Sequence, residues 1–200
     1  MAVKIVGLGG SLAEVSTSLA ALQVALNGAA LAGAETELMD IRELDLPLYK
    51  PGMKSVPEVI HYLNDTVYDA HGMIWSSPLY HGTISGSFKN ALDWLNPLGR
   101  RDPAYLTNKV IGLISTAGGV QGLQAVNTME FAVRALRGWT VPMVLPIPRA
   151  WKAFEDGDVQ DETVETQLLN LGREVARAAH QFKTHGICDY AIETAASAEQ

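Results

Sequence analysis

The chain has 200 residues, of which 48% are hydrophobic and 18% are charged, an ordinary balance for a protein with one well-buried core. This composition excludes disordered, collagenous and fibrous proteins. The formal net charge of −7 and the isoelectric point near 5.2 argue against general binding to nucleic acid or to an anionic membrane, because both reward a basic face. Any phosphate-bearing ligand must therefore be held by local geometry.

The sequence predicts a soluble, cytoplasmic protein. A strand-like run at residues 3–8 carries Lys4 inside it and does not resemble a secretion signal. The most apolar stretch, residues 19–34, is too short and too polar to span a bilayer. The single cysteine, Cys188, cannot form an internal disulfide, and a small buried or tail residue is the favoured interpretation over a reactive nucleophile.

Short apolar runs alternate with longer stretches whose apolar residues recur at helical spacing, a pattern typical of a parallel sheet covered on both faces. The predicted strands are residues 3–8, 37–41, 72–75, 110–115 and 141–147. The predicted helices carry buried stripes at Leu19/Leu22/Leu26/Ala29, Ile60/Leu63/Val67, Leu92/Leu95, Val126/Met129/Val133/Leu136 and Val164/Leu168/Leu171/Val175/Ala178/Phe182.

The chain is predicted to form one domain, residues 1–188, followed by a frayed tail at 189–200. Residues 42–57 contain three prolines and are predicted to be a long loop without regular helix or central strand. Five parallel strands with right-handed crossovers leave two common arrangements, the Rossmann order and the flavodoxin order 2-1-3-4-5. Both place ligands at the carboxyl ends of strands, so the chemistry is expected after Leu8, Trp75 and Ser115.

The first of these loops, residues 9–18, runs from a strand directly into a helix and carries Ser11, Ser16, Thr17 and Ser18. Hydroxyls and free amides at a helix N-terminus can surround a phosphate without a basic side chain. This pattern favours a phosphate cradle. The alternative is that one of the last three residues only caps the helix.

Competing phosphate and nucleophile motifs match poorly. A dinucleotide fingerprint begins at Gly7, but Leu12 stands where the third glycine belongs, although Asp40 occupies the place of a ribose-binding acid. No Gly-Lys pair exists, which excludes a Walker-type loop, and the final glycine of a hydrolase nucleophile elbow is missing. A phospho-receiver domain would need acidic residues after the first and third strands, and these are absent.

The second and third loops offer small residues and backbone amides. After Trp75, Pro78 stiffens the chain, Tyr80 supplies an aromatic ring, and Gly82 and Gly86 permit close backbone approach to a ligand. The third loop, residues 115–122, repeats the theme with Ser115, Gly118 and Gly119, although a plain strand-to-helix turn would look similar. Together the two loops favour a planar heteroaromatic ring.

These residues resemble a known family. Ser11 through Ser18, the run Ser77-Pro78-x-Tyr80-x-Gly82-x-Ile84-x-Gly86-x-Phe88-Lys89-Asn90-Ala91-Leu92-Asp93-Trp94-Leu95, and Gly118-Gly119 are similar to the NADPH-dependent FMN reductases, which include quinone, azo-dye and chromate reductases. The resemblance covers residues 3 to 147. The second motif is long and quite specific.

The resemblance implies a flavodoxin-like three-layer α/β sandwich that binds FMN non-covalently and is usually a homodimer or homotetramer. It implies ping-pong hydride transfer from NADPH or NADH to FMN and onward to a small acceptor: a quinone, free flavin, azo dye, ferric or chromate species. The FMN phosphate would be bound by Ser11, Ser16, Thr17 and Ser18, and the ring would be lined by Pro78, Leu79, Tyr80, His81, Gly82 and Thr83, with Ser115, Gly118 and Gly119 on its other side. No catalytic acid or base is implied.

The chain departs from the family pattern in two places. Family members often have arginine where Ala13 stands and asparagine where Ser18 stands, so a usual cationic partner of the phosphate is missing, and Glu14 adds a negative charge. Many members have Glu-Tyr-Asn where this chain has Leu79-Tyr80-His81.

Three further features carry hypotheses. Arg100 and Arg101 either bind the extra phosphate of NADPH or form a solvated pair. Trp94, Leu95 and Leu98 are predicted to face a second subunit, and Lys89 and Asp93 to form an exposed helical pair. The histidines lack metal-ligand spacing.

Two other functions stay open. The chain could be a flavodoxin-like electron carrier or redox sensor without turnover, or a Rossmann-type dehydrogenase that binds a nicotinamide dinucleotide and no flavin.

Overall fold

The structure is a computed structural model that describes residues 2–53 and 55–184. Cys188 and the tail predicted at residues 189–200 lie outside these ranges. Within them, no helix combines the length and apolarity that a bilayer crossing requires.

Five long parallel strands form the sheet: β1 (Lys4–Gly9), β2 (Glu35–Asp40), β3 (Gly72–Tyr80), β5 (Val110–Thr116) and β6 (Trp139–Ile147). Their spatial order is β2-β1-β3-β5-β6, which is 2-1-3-4-5 when the long strands are counted along the chain. The predicted flavodoxin order is confirmed, and the Rossmann order is excluded. A short strand, β4 (Thr83–Ile84), pairs antiparallel with the end of β3, and β7 (Phe154–Glu155) and β8 (Asp158–Val159) form a separate hairpin.

Helices cover both faces of the sheet. Their bounds are α1 (Thr17–Leu31), α2 (Ile41–Leu44), α3 (Glu58–Asp69), α4 (Gly86–Asp93), α5 (Gly122–Ala135), α6 (Ala150–Ala153) and α7 (Glu162–Thr184), with a 3-10 helix at Asn96–Arg100. One core lies between the sheet and α3, α4 and α5, and a second lies between the sheet and α1 and α7. Side chains of the central strands alternate between the two cores: Met73 and Trp75 enter the first and Ile74 the second.

The predicted loop at residues 42–57 is wrong at its start. Helix α2 begins at Ile41, where the side chain of Asp40 accepts a hydrogen bond from the backbone N–H of Arg42 at 2.9 Å. This cap starts a helical turn before the first proline of the segment can interrupt it. Asp40, the candidate ribose-binding acid, therefore serves as a helix cap.

The predicted subunit contact at Trp94, Leu95 and Leu98 is also wrong. Trp94 is 2% exposed, and the other two side chains are buried as well. The indole N–H of Trp94 donates to the carbonyl of Pro47 at 2.7 Å, and Tyr49 packs edge-on against the indole ring. The proline-rich segment thus covers this apolar surface within one chain.

Candidate functional site

The three loops predicted to carry chemistry meet in one cleft at the carboxyl edge of the sheet, called here the sheet-edge cleft. Its volume is about 240 Å³. It is lined by Ser11, Ala13, Val15, Ser16, Thr17, Ser18, Pro78, Leu79, Tyr80, Thr116, Ala117, Gly118, Ala150 and Trp151. The set contains hydroxyl, small, apolar and aromatic residues and no charged side chain.

A chain of serine hydroxyls forms one end of the cleft. Ser11 Oγ donates to Ser16 Oγ at 3.0 Å, and Ser16 Oγ lies 3.1 Å from Ser18 Oγ. Ser16 is also the N-cap of α1, because its Oγ accepts from the N–H of Leu19. Capping occupies one hydroxyl of the cluster, and Thr17 still lines the cleft beside it. The amides of Thr17 and Ser18 lie in the first turn of α1, where an amide has no intrahelical acceptor.

Two glycines allow the first loop to reach this position. A Cβ atom at Gly9 would lie 2.2 Å from the carbonyl oxygen of Ser76, so no other residue fits between β1 and β3 there. Gly10 has a φ of +96° and donates its N–H to the same carbonyl oxygen. Ser76 Oγ in turn donates to the carbonyl of Ser18 at 2.8 Å. The first loop is therefore fastened to β3 at both ends.

The second loop is mostly strand. Prediction ended the third strand at Trp75, but β3 continues to Tyr80 and turns back into β4 through His81 and Gly82. Both turn residues have positive φ, 50° and 84°, as a tight hairpin turn of this twist requires. His81, Gly82 and the exposed Thr83 do not line the cleft, whereas Pro78 and Leu79 do.

The third loop is divided between the core and the cleft. Ser115 is fully buried, and its Oγ has no hydrogen-bond partner within the described part of the chain. Gly118 lines the cleft and Gly119 does not, although the carbonyl of Gly119 accepts from the N–H of Arg149 at 2.9 Å. The third loop is thereby tied to the turn that follows β6.

Sequence reasoning missed Trp151. It lies on α6, just beyond the end of β6, lines the cleft, and is 66% exposed. The N–H of Ala150 donates to the carbonyl of Ala117, which brings α6 against the third loop. The signal in the sequence is the position of Trp151 after the carboxyl end of the last predicted strand, since ligands bind at that edge of a parallel sheet.

A cation on another element contacts the first loop. The guanidinium of Arg42, on α2, donates through Nη1 to the carbonyls of Glu14 at 3.2 Å and Ala13 at 3.4 Å. It therefore contacts the backbone at the position where the family has arginine. Sequence analysis gave no sign of this contact, because 28 and 29 residues separate the partners.

The basic residues singled out from the sequence have different surroundings. Arg101 forms an ion pair with Asp65, and its guanidinium lies 4.9 Å from the ring centroid of Tyr68. Arg100 does not line the sheet-edge cleft but a separate hollow. Lys89 and Asp93 form the expected exposed pair at 2.6 Å. In the described ranges, His, Cys, Asp and Glu side chains do not gather in threes that could bind a metal ion.

Comparison with known proteins gives a consistent picture. The family model described as NADPH-dependent FMN reductase matches residues 3–152. The NADPH-dependent FMN reductase ArsH of Acidithiobacillus ferrooxidans is 33% identical over 153 residues, which are 70% of this chain and 63% of that protein, so the match spans less than two thirds of the relative. The FMN-dependent NADPH-azoreductase of Staphylococcus aureus is 32% identical over 113 residues, 54% of this chain and 57% of that protein.

Solved structures agree on the fold. The flavoenzyme NAD(P)H:(acceptor) oxidoreductase FerB of Paracoccus denitrificans superposes with a TM-score of 0.72 at 22% identity, covering 90% of this chain and 98% of its own. At that identity the likeness supports a shared fold.

Proposed function

This chain belongs to the NADPH-dependent FMN reductase family, and from that premise we propose that it is an FMN-dependent oxidoreductase that passes electrons from NADPH to a small acceptor. FMN and a reduced nicotinamide dinucleotide are its cofactors. The observation that carries the proposal is the convergence of three separately predicted loops on one uncharged cleft at the carboxyl edge of the sheet.

The donor set of the cleft fits FMN. A flavin phosphate needs several hydrogen-bond donors, and the cleft offers the hydroxyls of Ser11, Ser16, Thr17 and Ser18 beside free amides at the start of α1. The favourable end of the helix dipole replaces part of the missing cationic charge. A flat ring needs both apolar walls and room. Pro78 and Leu79 supply the walls. Gly118 leaves room, because a Cβ atom there would meet no atom within 4 Å.

When bound, FMN would accept hydride from the nicotinamide and pass the electrons on. The chain itself supplies position and shielding. Ser11 and Ser18 would orient the phosphate, and the backbone at Pro78 and Leu79 would hold the ring edge. Tyr80 and Trp151, both exposed at the cleft, would stack with a planar donor or acceptor.

The lining also favours one kind of acceptor among those that the family resemblance implies. With the FMN phosphate on the hydroxyl and amide donors at the start of α1, the rest of the cleft lining has no charged side chain to bind a chromate dianion or a ferric ion. Its aromatic walls instead favour a neutral planar molecule, so we propose a quinone or a free flavin as the acceptor.

The test is a visible spectrum of the purified chain supplied with FMN, followed by NADPH without oxygen and then by a quinone. We expect protein-bound flavin absorbance that bleaches with NADPH and returns with the quinone. The double variant Ser11→Ala/Ser18→Ala should bind FMN at least about tenfold more weakly, because two donors are lost. Thr163→Ala, which removes an exposed hydroxyl on α7 that does not line the cleft, is the matched control.

The same experiment tests the alternatives. Bound flavin that NADPH does not bleach would indicate an electron carrier or redox sensor. Absence of FMN binding by the wild-type chain would contradict the proposal, and the strand order already argues against a Rossmann-type dehydrogenase.

We further propose that the chain is a homodimer that forms through one face of α5 together with Val120 just before the helix. This surface, called here the α5 face, consists of Val120, Leu123, Asn127, Glu130, Phe131 and Arg134. Leu123 and Phe131 are large, apolar and exposed, 50% and 71% respectively. Glu130 and Arg134 lie one helical turn apart and form an ion pair. The α5 face therefore carries no net charge, although the chain as a whole has a net charge of −7. Since an antiparallel two-fold contact sets unlike charges opposite each other, the face suits a second copy of the same chain.

A further inference from the structure

Arg100 and Arg101 are neighbours in the sequence but have different surroundings in the structure. The guanidinium of Arg101 is already engaged by the carboxylate of Asp65 and lies over the ring of Tyr68. Among the described residues Arg100 has no such contact, and it lines a hollow of about 240 Å³, called here the Arg100 hollow. Lys50 lines the same hollow. Within the described residues, neither Arg100 nor Lys50 belongs to an ion pair.

The Arg100 hollow joins these two cations to an apolar wall. The rest of its lining is Tyr49, Gly52, Met53, Val56, Trp94, Asn96 and Pro97, with no acidic side chain. The aromatic part of the wall is held in place, because the N–H of Tyr49 donates to Asn90 Oδ1 at 2.8 Å and the ring of Tyr49 packs edge-on against Trp94. Two unpaired cations beside a fixed apolar wall fit an anion that carries a flat apolar group.

A second hollow has residues next to those of both the Arg100 hollow and the sheet-edge cleft. It has a volume of about 260 Å³ and includes Leu12, Leu48, Ser87 and Asn90. Leu12 lies between Ser11 and Ala13, which line the sheet-edge cleft. Leu48 precedes Tyr49, and Asn90 binds the backbone of Tyr49, which lines the Arg100 hollow. The second hollow also contains Asp45, and it shares no lining residue with the other two, so its relation to them rests on Leu12 on one side and the Asn90–Tyr49 hydrogen bond on the other.

We propose that the Arg100 hollow binds the 2′-phosphorylated adenosine end of NADPH while the nicotinamide end occupies the sheet-edge cleft. This inference rests on the proposed function, since it concerns the electron donor of that reaction. Arg100 and Lys50 meet the 2′-phosphate, and the adenine ring lies on the apolar wall. Because NADH lacks that phosphate, the two cations would set the preference for NADPH over NADH.

The Arg100 hollow also supplies the positive charge that binding of a dinucleotide to this acidic chain requires. A chain with a net charge of −7 repels a polyanionic dinucleotide overall, so binding needs local positive charge at the phosphate. The sheet-edge cleft provides none, whereas the Arg100 hollow contains two cations and no carboxylate.

The test compares 2′,5′-ADP with 5′-AMP by calorimetric titration of the FMN-supplied protein. We expect the wild-type chain to bind 2′,5′-ADP at least about tenfold more tightly than 5′-AMP, an ordinary gain for one charge-assisted phosphate site. Arg100→Ala and Lys50→Ala should each reduce this ratio, and the double variant should bring it close to one. Arg101→Ala, which removes the neighbouring arginine already paired with Asp65, should keep the wild-type ratio.

Equal binding of the two nucleotides by the wild-type chain would overturn the inference, and so would a preference that survives in the double variant or disappears in Arg101→Ala. Arg100→Lys keeps the charge and should retain part of the preference, and circular dichroism identifies any variant that fails to fold. The titration involves no turnover, so it can be repeated on protein without FMN. A preference for 2′,5′-ADP in a chain that binds no FMN would contradict the proposed function and leave the nucleotide site standing.

Discussion

Ser16 illustrates how one side chain can satisfy two interpretations of a sequence. The sequence allows both a helix cap and a phosphate cradle here, because both use a hydroxyl before the first helical turn. In the structure Ser16 Oγ accepts from Leu19 N–H and also contacts the hydroxyls of Ser11 and Ser18. Capping orients the hydroxyl cluster, so the two roles support each other.

Arg42 is the residue whose substitution best tests the first loop. Its two hydrogen bonds hold the backbone of Ala13 and Glu14, between Ser11 and Ser16. Since the side chain is exposed, Arg42→Ala should weaken FMN binding by only about two- to fivefold, in keeping with hydrogen bonds worth roughly 0.5–1 kcal/mol. Fluorescence titration of the protein with FMN measures the change.

Arg173→Ala is the control for Arg42→Ala, because Arg173 is an exposed arginine on α7 that contacts Asn170 and not the first loop. It should leave FMN affinity unchanged. Equal affinities in all three proteins would show that the loop holds its shape without Arg42.

Lys109 gives a prediction about pH. Its Nζ donates to the carbonyls of Tyr68 and Ala70 at 2.6 Å each, at the C-terminal end of α3. Burial lowers the pKa of Lys109 to about 8, against 10.5 for an ordinary lysine. Between these values the unfolded chain binds more protons, so the contribution of Lys109 to stability rises with pH. A neutral amine still has two N–H groups for the two carbonyls.

The measurement is the free energy of unfolding of the wild type minus that of Lys109→Met, between about pH 7.5 and about pH 10. We expect this difference to increase by roughly 1–3 kcal/mol across the range, since a shift of one pKa unit corresponds to about 1.4 kcal/mol. A difference that stays flat would mean that the two carbonyls hold the ammonium form and that burial does not shift its pKa.

The limits of prediction at the residue scale are clearest at Trp94. An apolar stripe on a helix indicates that the stripe is covered, but not whether the cover is the same chain or another. Here the cover is the proline-rich segment, whose Pro47 carbonyl accepts from the indole N–H across 47 residues. The same limit explains why the sequence did not indicate the roles of Trp151 and Arg42. Trp151 lines the cleft and Arg42 contacts the first loop, each through contacts between distant segments.

At the scale of elements, strand existence was predictable and strand ends were not. The five predicted runs all became strands, because continuous apolar runs are typical of doubly covered sheets. Pro78 nevertheless lies inside β3, where a proline would normally argue against a strand. The register explains the exception: pairing of β3 with β1 stops at Ser76 and pairing with β4 begins at Leu79, so Pro78 itself pairs with β5 alone.

The contact between α1 and α7 depends on two glycines. A Cβ atom at Gly172 would lie 1.8 Å from the carbonyl oxygen of Ala25, and one at Gly28 would lie 2.2 Å from that of Leu169. Because backbone cannot yield as a flexible side chain can, Gly172→Ala should destabilise the fold by about 2–4 kcal/mol, despite the better helix propensity of alanine. Chemical denaturation measures this change.

Gly86→Ala provides the comparison for Gly172→Ala. Gly86 also lies in a helix, and a Cβ atom there would meet no neighbour within 4 Å. Its replacement should be neutral or slightly stabilising. If the two variants unfold alike, the close approach of α1 and α7 does not limit stability.

At the scale of the molecule, the sheet order could be predicted because few topologies obey short connections and right-handed crossovers. The position of the cleft followed from the same rule, since ligands bind where parallel strands end. What could not be predicted was which apolar surface stays uncovered. The sequence pointed to Trp94, whereas in the structure the exposed apolar residues Leu123 and Phe131 lie on α5.

We therefore expect self-association through the α5 face. Beside it, Thr83 Oγ1 of the β3–β4 hairpin lies 3.2 Å from Thr128 Oγ1 of α5, so a second copy docked there would also contact the hairpin next to the cleft. Light scattering should give a dimer mass for the wild type and a monomer mass for Phe131→Glu, because a buried carboxylate without a partner opposes the contact. Leu31→Glu is the matched control, since Leu31 is 70% exposed on α1, and it should remain dimeric. A monomeric wild type, or a Phe131→Glu variant that is still a dimer, would remove the α5 face as the site of self-association.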